Sequence, residues 1–402
     1  MTGTPHISSP QTPSARPGPF ERFFLRLHWL VGLTLGVVLA IMGTTGALLS
    51  FEDEILTALI PRLSVGDNSP QPLPLSALLN AVAKQRPGLS VSFLQMSSLS
   101  DRPILVGLIP PDHKGGRAER ALADPYSGDV LGAPVGIDFF ETVRNLHRYL
   151  ALPGGERGIG RSITGIAAIC LLFLTLSGLW LRMRRRHNSW RAWLIPDFRA
   201  RKRSLHKSLH LVIGTWLMPL YIFSVLTGLW WSYDGYRDAV TALVAGAPPK
   251  AESRKSEIVK KAAPLSGKAL DLAFSVALER FGQPYERAIV TLPRTGQQLR
   301  VRLLPKEAPH DRAFDEIRVD LETGRVMREQ RYFDLKPSDW LSTNMEPLHT
   351  GSFLGLPMRL LLSLSSAALP GFAVTGIILY LYRLRGRQAH NNQAFKQHRE
   401  RN

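Results

Sequence analysis

Four stretches of this chain contain no Asp, Glu, Lys or Arg over the length that a membrane-crossing helix requires. They are residues 27–51, 162–181, 211–233 and 360–382. A helix needs about 20 apolar residues to cross the hydrocarbon core of a bilayer. We therefore predict four membrane-spanning helices, with the lipid bilayer as a partner. The mean hydropathy of −0.03 averages these helices with two long polar segments.

The net charge of +18 is concentrated where it indicates membrane topology. The segment 182–207, between the second and third spans, holds ten Lys or Arg and one acidic residue, Asp197. Basic residues next to spans mark the cytoplasmic side, so both termini are predicted to be cytoplasmic. A nucleic-acid site would need a folded basic module, which this segment does not resemble. We expect no nucleic-acid partner.

The sequence contains the same unit twice. The first and third spans open with LHWLVG (27–32) and LHLVIG (209–214), and each has a Thr-Gly pair near its far end. Each is followed by a polar segment with helix and strand patterns, then by Leu-His and the next span. Because each copy has two spans, the copies are parallel rather than inverted repeats.

The predicted fold class is membrane α-helical, with four transmembrane helices arranged as a duplicated two-span unit and two α+β domains outside. The expected boundaries are a disordered cytoplasmic tail (1–20), the first helix (21–51), the first outer domain (52–146), the second helix (147–182), a basic cytoplasmic loop (183–208), the third helix (209–233), the second outer domain (234–348), the fourth helix (349–383) and a cytoplasmic tail (384–402).

Four histidines occupy equivalent places in the two copies: His28 with His210, and His147 with His349. Neutral imidazole is a good axial ligand for haem iron, and helix bundles build cofactor sites from facing helices. The pairs therefore predict two haem b groups, with these four histidines as axial ligands of the iron. His206 lies one turn before His210 and is the alternative to it, although we expect a loop there. Zinc suits the pairs less well, because two ligands rarely suffice.

Structural explanations compete with these assignments. A histidine at the end of a span is often an interfacial residue, and duplication copies structural residues too. Glycines in the spans serve close helix packing or leave room for a flat macrocycle; they are Gly32, Gly36, Gly165, Gly214 and Gly376. Arg26, Arg148 and Arg157 are candidates for haem propionates and equally for interfacial charges. The histidines expected to be solvated are His6, His113, His187, His310, His390 and His398.

The motifs LHWLVG, LHLVIG, DPYSGDVLG, DLETGRVM and EPLHTGSFLGLP resemble the PepSY-associated transmembrane family of bacteria. The resemblance covers about residues 20–385, and the family includes iron-regulated inner-membrane proteins and ferric-siderophore reductases. It implies a four-span inner-membrane protein with periplasmic PepSY-type domains. In the reductases, two b-type haems pass electrons outward to Fe(III) held by a siderophore. By motif, the ligands would be His28, His210, His147 and His349.

Residues and resemblance together predict an oxidoreductase, a ferric-siderophore reductase that releases Fe(II) in the periplasm for iron uptake. No Ser/His/Asp or paired-carboxylate motif is evident, so we predict no catalytic acid, base or nucleophile. The chain has no dinucleotide fingerprint, which makes a separate donor, a quinol or a cytoplasmic reductase, the expected source of electrons. The alternatives are a cofactor-free protein that regulates or scaffolds periplasmic proteins, and a subunit for siderophore transport.

Overall fold

A computed structural model of the chain describes residues 18–65, 71–110, 118–184, 189–246, 266–293 and 297–401. Most of the predicted N-terminal tail, up to residue 17, lies outside these ranges, as do His6, His113 and His187. The backbone of His390 and His398 is described, and their side chains are not.

Helices account for most of the described chain. They are α1 (Pro19–Leu49), α2 (Glu52–Leu59), α3 (Leu75–Gln85), α4 (Ile137–Tyr149), α5 (Ile159–Met183), α6 (Trp190–Leu194), α7 (Arg203–Ser232), α8 (Asp234–Ala245), α9 (Gly267–Phe281), α10 (Pro337–Thr350) and α11 (Gly355–Arg401). Short 3₁₀ turns occur at Gly155–Arg157, Tyr332–Asp334 and Ser352–Leu354.

Four helical segments in the described ranges are long and apolar enough to cross a membrane. They are Pro19–Leu49, Ile159–Met183, Arg203–Ser232 and Ser352–Ala389. Backbone polar groups can be satisfied within a helix, which is why helices of this kind are stable in lipid. The prediction of a multi-pass membrane protein with four transmembrane helices is confirmed.

The histidines of the two Leu-His motifs that follow the polar segments lie on separate short helices. The predicted second and fourth transmembrane helices began at residues 147 and 349, but α4 and α10 end before the spans begin. Leu150 ends α4 with a φ of 54°, and Gly351 ends α10 with a φ of 88°. A left-handed residue cannot continue an α-helix, and hydropathy alone does not reveal such a break.

The basic segment also differs from the expected loop at its end. The predicted loop ran from residue 183 to 208, whereas α7 already begins at Arg203. His206 is therefore a helical residue and not a loop residue. The sequence RSLHKSLH contains no Gly or Pro, so nothing prevents the helix from extending by this turn.

The chain divides into two compact units. The bundle unit comprises the described residues of Met1–Ala40, Ala167–Ile222 and Leu369–Asn402. The sheet unit comprises Ile41–Ile166 and Phe223–Ala368. Each unit contains part of every membrane-crossing helix.

Eight antiparallel strands of the sheet unit form one sheet. They are β1 (Ser90–Ser97), β2 (Ile104–Ile109), β3 (Glu119–Ala123), β4 (Val130–Gly132), β5 (Tyr285–Thr291), β6 (Gln298–Pro305), β7 (Asp315–Asp320) and β8 (Val326–Gln330). The order is β4-β3-β2-β1-β5-β6-β7-β8. The two polar segments predicted as separate domains each contribute four strands to this sheet. Strands β1 and β5 pair with each other and so join the two segments, with Leu94 opposite Val290.

One hydrophobic core lies under this sheet. Burial alternates along β7, as expected for a strand with one face against the core. Helices α3 and α9 supply the opposing apolar side chains, including Leu78, Val82 and Ala277. Asp271 of α9 accepts hydrogen bonds from the backbone N–H and the hydroxyl of Ser76, at 2.8 and 2.5 Å, near the start of α3. The two polar segments are therefore packed together by their helices as well as by their strands.

The end of α4 is docked on the start of α5 through a missing side chain. A Cβ on Gly160 would stand 2.0 Å from the carbonyl oxygen of Tyr149, which is not possible for a real atom. Thr164 Oγ1 also donates to the carbonyl of Arg148 at 2.9 Å. Gly351 permits an equivalent approach, since a Cβ there would be 2.8 Å from the backbone of Arg359. The first two contacts hold α4, which carries His147, against α5, and the third holds the end of α10, which carries His349, against α11.

We expect Gly160→Ala to lower the free energy of unfolding by about 1–3 kcal/mol, because the new methyl group forces α4 away from α5. Thermal unfolding of the purified protein in detergent measures the effect. Gly371→Ala is the control, because a Cβ at Gly371 meets nothing within 4 Å. Equal Tm values for the two variants would contradict the proposed docking.

Candidate histidine sites

His28 of α1 and His210 of α7 line the same cavity in the bundle unit. The cavity has a volume of about 570 Å³, which lies within the usual range for ligand pockets. His28 Nδ1 is 2.8 Å from Ser177 Oγ of α5. His210 Nδ1 is 2.8 Å from Thr375 Oγ1 of α11. Each imidazole is thus bonded to a hydroxyl of the span that follows its own.

The two histidines of the sheet unit have the same kind of partner. His147 Nδ1 is 3.0 Å from Thr45 Oγ1 of α1 and 3.0 Å from the carbonyl oxygen of Met42. His349 Nδ1 is 2.8 Å from Thr227 Oγ1 of α7. Thr45 and Thr227 occupy equivalent positions in the two sequence copies. All four predicted ligands therefore share one local arrangement.

These contacts determine which nitrogen carries the proton. The hydroxyls of Thr45, Thr227 and Thr375 already donate to carbonyls of their own helices at 2.7–2.8 Å. Each hydroxyl oxygen is then an acceptor, so the imidazole Nδ1–H is the donor. At His147 the carbonyl of Met42 can only accept, which gives the same result. In this tautomer Nε2 carries the lone pair that binds a metal.

A glycine follows each of the four hydroxyl residues. The dipeptides are Thr45-Gly46, Ser177-Gly178, Thr227-Gly228 and Thr375-Gly376. A Cβ on Gly46 or Gly228 would be 3.1 Å from Cε1 of His147 or His349, and one on Gly178 would be 3.3 Å from Cε1 of His28. These three imidazoles therefore lie directly against a helix backbone. The Ser/Thr-Gly pair recurs in all four spans, including the second and fourth, where the sequence analysis did not single it out.

The remainder of the bundle-unit cavity is lined largely by apolar side chains and, at five positions, by glycine. Aliphatic and aromatic side chains such as Leu33, Leu171, Met218 and Phe372 line it. The lining glycines are Gly32, Gly36, Gly178, Gly214 and Gly376. Gly165 belongs to the sheet unit instead and faces Ser232 and Tyr233.

These residues fit a bis-histidyl haem better than a bare metal ion. Haem needs two imidazoles and a largely apolar space, and the cavity that His28 and His210 line has a volume of about 570 Å³ and a largely apolar lining. Within the described ranges, no three His, Cys, Asp or Glu residues are grouped so that they could hold a metal ion. A closed zinc site needs about four such ligands.

The protein environment keeps the sheet-unit imidazoles neutral. Both side chains are partly accessible to solvent. The protein around them nevertheless disfavours a charged ring, and this burial lowers the pKa of His147 and of His349 from 6.5 to about 4. A charge on His147 would lower the pKa of His349 further. Neutral imidazole is the form that binds a metal.

Other predicted residues lie away from these positions. His206 precedes His210 by one turn but is not among the residues that line the cavity. Arg26 is exposed and does not line the cavity either. Arg148 forms an ion pair with Glu156 at 3.4 Å, and Arg157 is exposed. Arg148 acts on His147 through its charge, which helps to lower the pKa of that imidazole.

The expectation that His310 is solvated is wrong. Its side chain is 7% exposed, and Nε2 lies 2.7 Å from Asn344 Oδ1 and 3.0 Å from the hydroxyl of Tyr332. Asn344, on α10, is fully buried. The polar residues around His310 in the sequence gave no sign of burial, because its partners come from distant segments.

The chain was also compared with known proteins. A family model described as a PepSY-associated TM region matches residues 25–383. No curated protein matches the chain.

We expect Thr375→Val to release His210 from a single tautomer, because valine keeps the shape of threonine but cannot accept from Nδ1–H. ¹⁵N NMR of histidine-labelled, haem-free protein should show mixed tautomers at His210 and a loss of about 1 kcal/mol in stability. Thr34→Val is the control, since the Thr34 hydroxyl bonds to carbonyls of its own helix, those of Leu30 and Val31. An unchanged His210 spectrum in Thr375→Val would exclude this role.

Stability of the haem-free protein should depend on pH through His147 and His349. Their folded pKa of about 4 lies below the ordinary 6.5, so between these values the unfolded chain binds more protons. Their contribution is fully present above pH 6.5 and is lost as the pH falls towards 4. The Tm difference between wild type and the His147→Asn/His349→Asn variant should shrink over this range. A constant difference from pH 7.5 to 4 would contradict the burial of neutral imidazoles.

Proposed function

The chain belongs to the PepSY-associated TM family, and from its four histidines we propose that it is a haem-binding membrane oxidoreductase that passes single electrons to ferric chelates. One observation carries the proposal. Each of the four imidazoles bonds through Nδ1 to a hydroxyl of another helix, which leaves Nε2 open. A structural histidine needs no such common orientation, whereas an axial ligand does.

Two haem b groups per chain account for all four imidazoles. His28 and His210 would hold one group in the bundle unit, and His147 and His349 would hold the other in the sheet unit. When bound, haem with two imidazole ligands supplies one-electron chemistry, with a potential that the protein sets through hydrogen bonds and burial.

The surrounding residues of this chain prepare the ligands. The hydroxyls of Ser177, Thr45, Thr227 and Thr375 hold the rings in one tautomer and make Nε2 more basic by accepting from Nδ1–H. The neutral state of His147 and His349 removes the need to displace a proton when iron binds. Apolar side chains make up most of the cavity lining around His28 and His210.

The direction of electron flow follows from the proposed topology. Basic residues flanking spans mark the cytoplasmic side, and the segment 183–208 is strongly basic. We place the protein in a bacterial inner membrane, with both termini in the cytoplasm and the eight-stranded sheet in the periplasm. Its substrate is Fe(III) held by a siderophore, which leaves as Fe(II) for uptake. A quinol or a cytoplasmic reductase is the proposed donor.

The spectrum of the purified protein tests the proposal. We expect a Soret band, b-type α-bands on reduction and about two haems per chain, the number that two imidazole pairs hold. His349→Asn keeps a donor for the Thr227 hydroxyl but has no Nε2 ligand. It should lower the haem content to about one per chain and abolish reduction of ferric siderophores.

The matched control is His206→Asn, which alters a helical histidine outside the cavity and should leave haem content and reduction unchanged. A colourless wild-type preparation from cells well supplied with haem, still able to reduce ferric chelates, would overturn the proposal. Full haem content in His349→Asn would overturn the assignment of that ligand.

A further inference from the structure

The cavity that His28 and His210 share also contains a group of cations. Arg182 of α5, Arg203 and Lys207 of α7, and Arg383 of α11 all line it. Among the described lining residues none is Asp or Glu. Arg182 is buried and Arg383 is half-buried, so their charges are costly within membrane helices unless an anion accompanies them, whereas Arg203 and Lys207 are exposed.

These cations lie on one side of the imidazoles. Lys207 precedes His210 on α7 by about one turn, and Arg203 precedes it by about two. On α11, Arg383 lies about two turns after Thr375, the hydrogen-bond partner of His210. Consecutive spans cross the membrane in opposite directions, so residues before His210 on α7 and after Thr375 on α11 are displaced towards the same end.

Arg182 is displaced towards the same end, and several hydrogen bonds hold its side chain in place. It lies about one turn after Ser177, the partner of His28 on α5. Its side chain is 3% exposed and donates to the carbonyls of Ala192 and Trp193 at 2.8 and 2.9 Å, and also to the carbonyl of Leu211 and the hydroxyl of Thr215. Its Nε is buried and has no hydrogen-bond partner in the described part of the chain. A fixed guanidinium with an unused donor suits an anionic ligand.

We propose that Arg182, Arg203, Lys207 and Arg383 bind the two propionate carboxylates of the haem held by His28 and His210. This rests on the proposed function and adds the orientation of the ligand: the carboxylates point towards the end of the bundle unit that carries the basic segment 183–208. Arg203 and Arg383 can pair with a carboxylate through parallel hydrogen bonds, Arg182 can donate only its Nε–H, and Lys207 adds a point charge. For this haem the proposed propionate partners therefore differ from Arg26, the residue near His28 that the sequence had suggested.

Esterified haem separates this role from general effects on folding. Haem and haem dimethyl ester would be titrated into the haem-free full-length chain carrying His349→Asn, so that the bundle-unit site is measured alone. Lys207→Gln and Arg383→Gln should each weaken haem binding by roughly three- to tenfold. Neither should change the dissociation constant for the ester, which lacks the carboxylates. Arg22→Gln is the control, because Arg22 is an exposed cation on α1 outside the cavity lining.

The outcomes distinguish this inference from the proposed function. Absence of haem binding in wild type as well as in the His349→Asn chain would overturn both. If wild type binds haem normally but Arg383→Gln loses affinity for haem and for the ester equally, the carboxylate assignment alone would be overturned. An equal loss of haem affinity in Arg22→Gln would have the same consequence. Repeating the titration with the Lys207→Gln/Arg383→Gln double variant should give a larger loss for haem and again none for the ester.

Discussion

The hydrogen bond from an imidazole Nδ1 to a Ser or Thr hydroxyl of another helix is the interaction on which the candidate sites depend. In apolar surroundings an unpaired N–H costs far more than in water, so each bond selects one ring orientation and one tautomer. The same bond joins α1 to α5, α4 to α1, α7 to α11 and α10 to α7. Ligand geometry and helix packing are therefore set by the same contacts, and the glycine after three of the hydroxyl residues lets the ring approach the backbone.

Much of this arrangement could be predicted from the sequence, because a lipid bilayer restricts which residues a membrane-spanning helix can contain. Charge is excluded from the spans, so their number and approximate position follow from composition. The four histidines could be selected because they recur at equivalent positions. The short helices α4 and α10 could not be separated from the spans in this way, because their ends depend on left-handed backbone at Leu150 and Gly351.

Other features depend on partners that are distant in sequence. A Ser or Thr inside a helix normally bonds to its own backbone, so nothing local shows that Thr45 or Thr375 also accepts from a histidine. The pairing of β1 with β5 joins two segments that look like independent domains. The sequence suggested arginines close to a histidine as partners for an anion, whereas the cations that line the cavity come from α5, α7 and α11. His310 is buried for the same reason, through Asn344 and Tyr332.

Both halves of the chain contribute to each pair of histidines. Each hydroxyl bond lies within one half: α1, α4 and α5 belong to the first, and α7, α10 and α11 to the second. Each imidazole pair takes one member from each half, since His28 shares a cavity with His210 and the charge of His147 acts on His349. A half alone would therefore orient single imidazoles but could not bring two of them together. Strand β1 likewise has its second neighbour, β5, in the other half, so the same association that completes the sheet also completes the paired histidine sites.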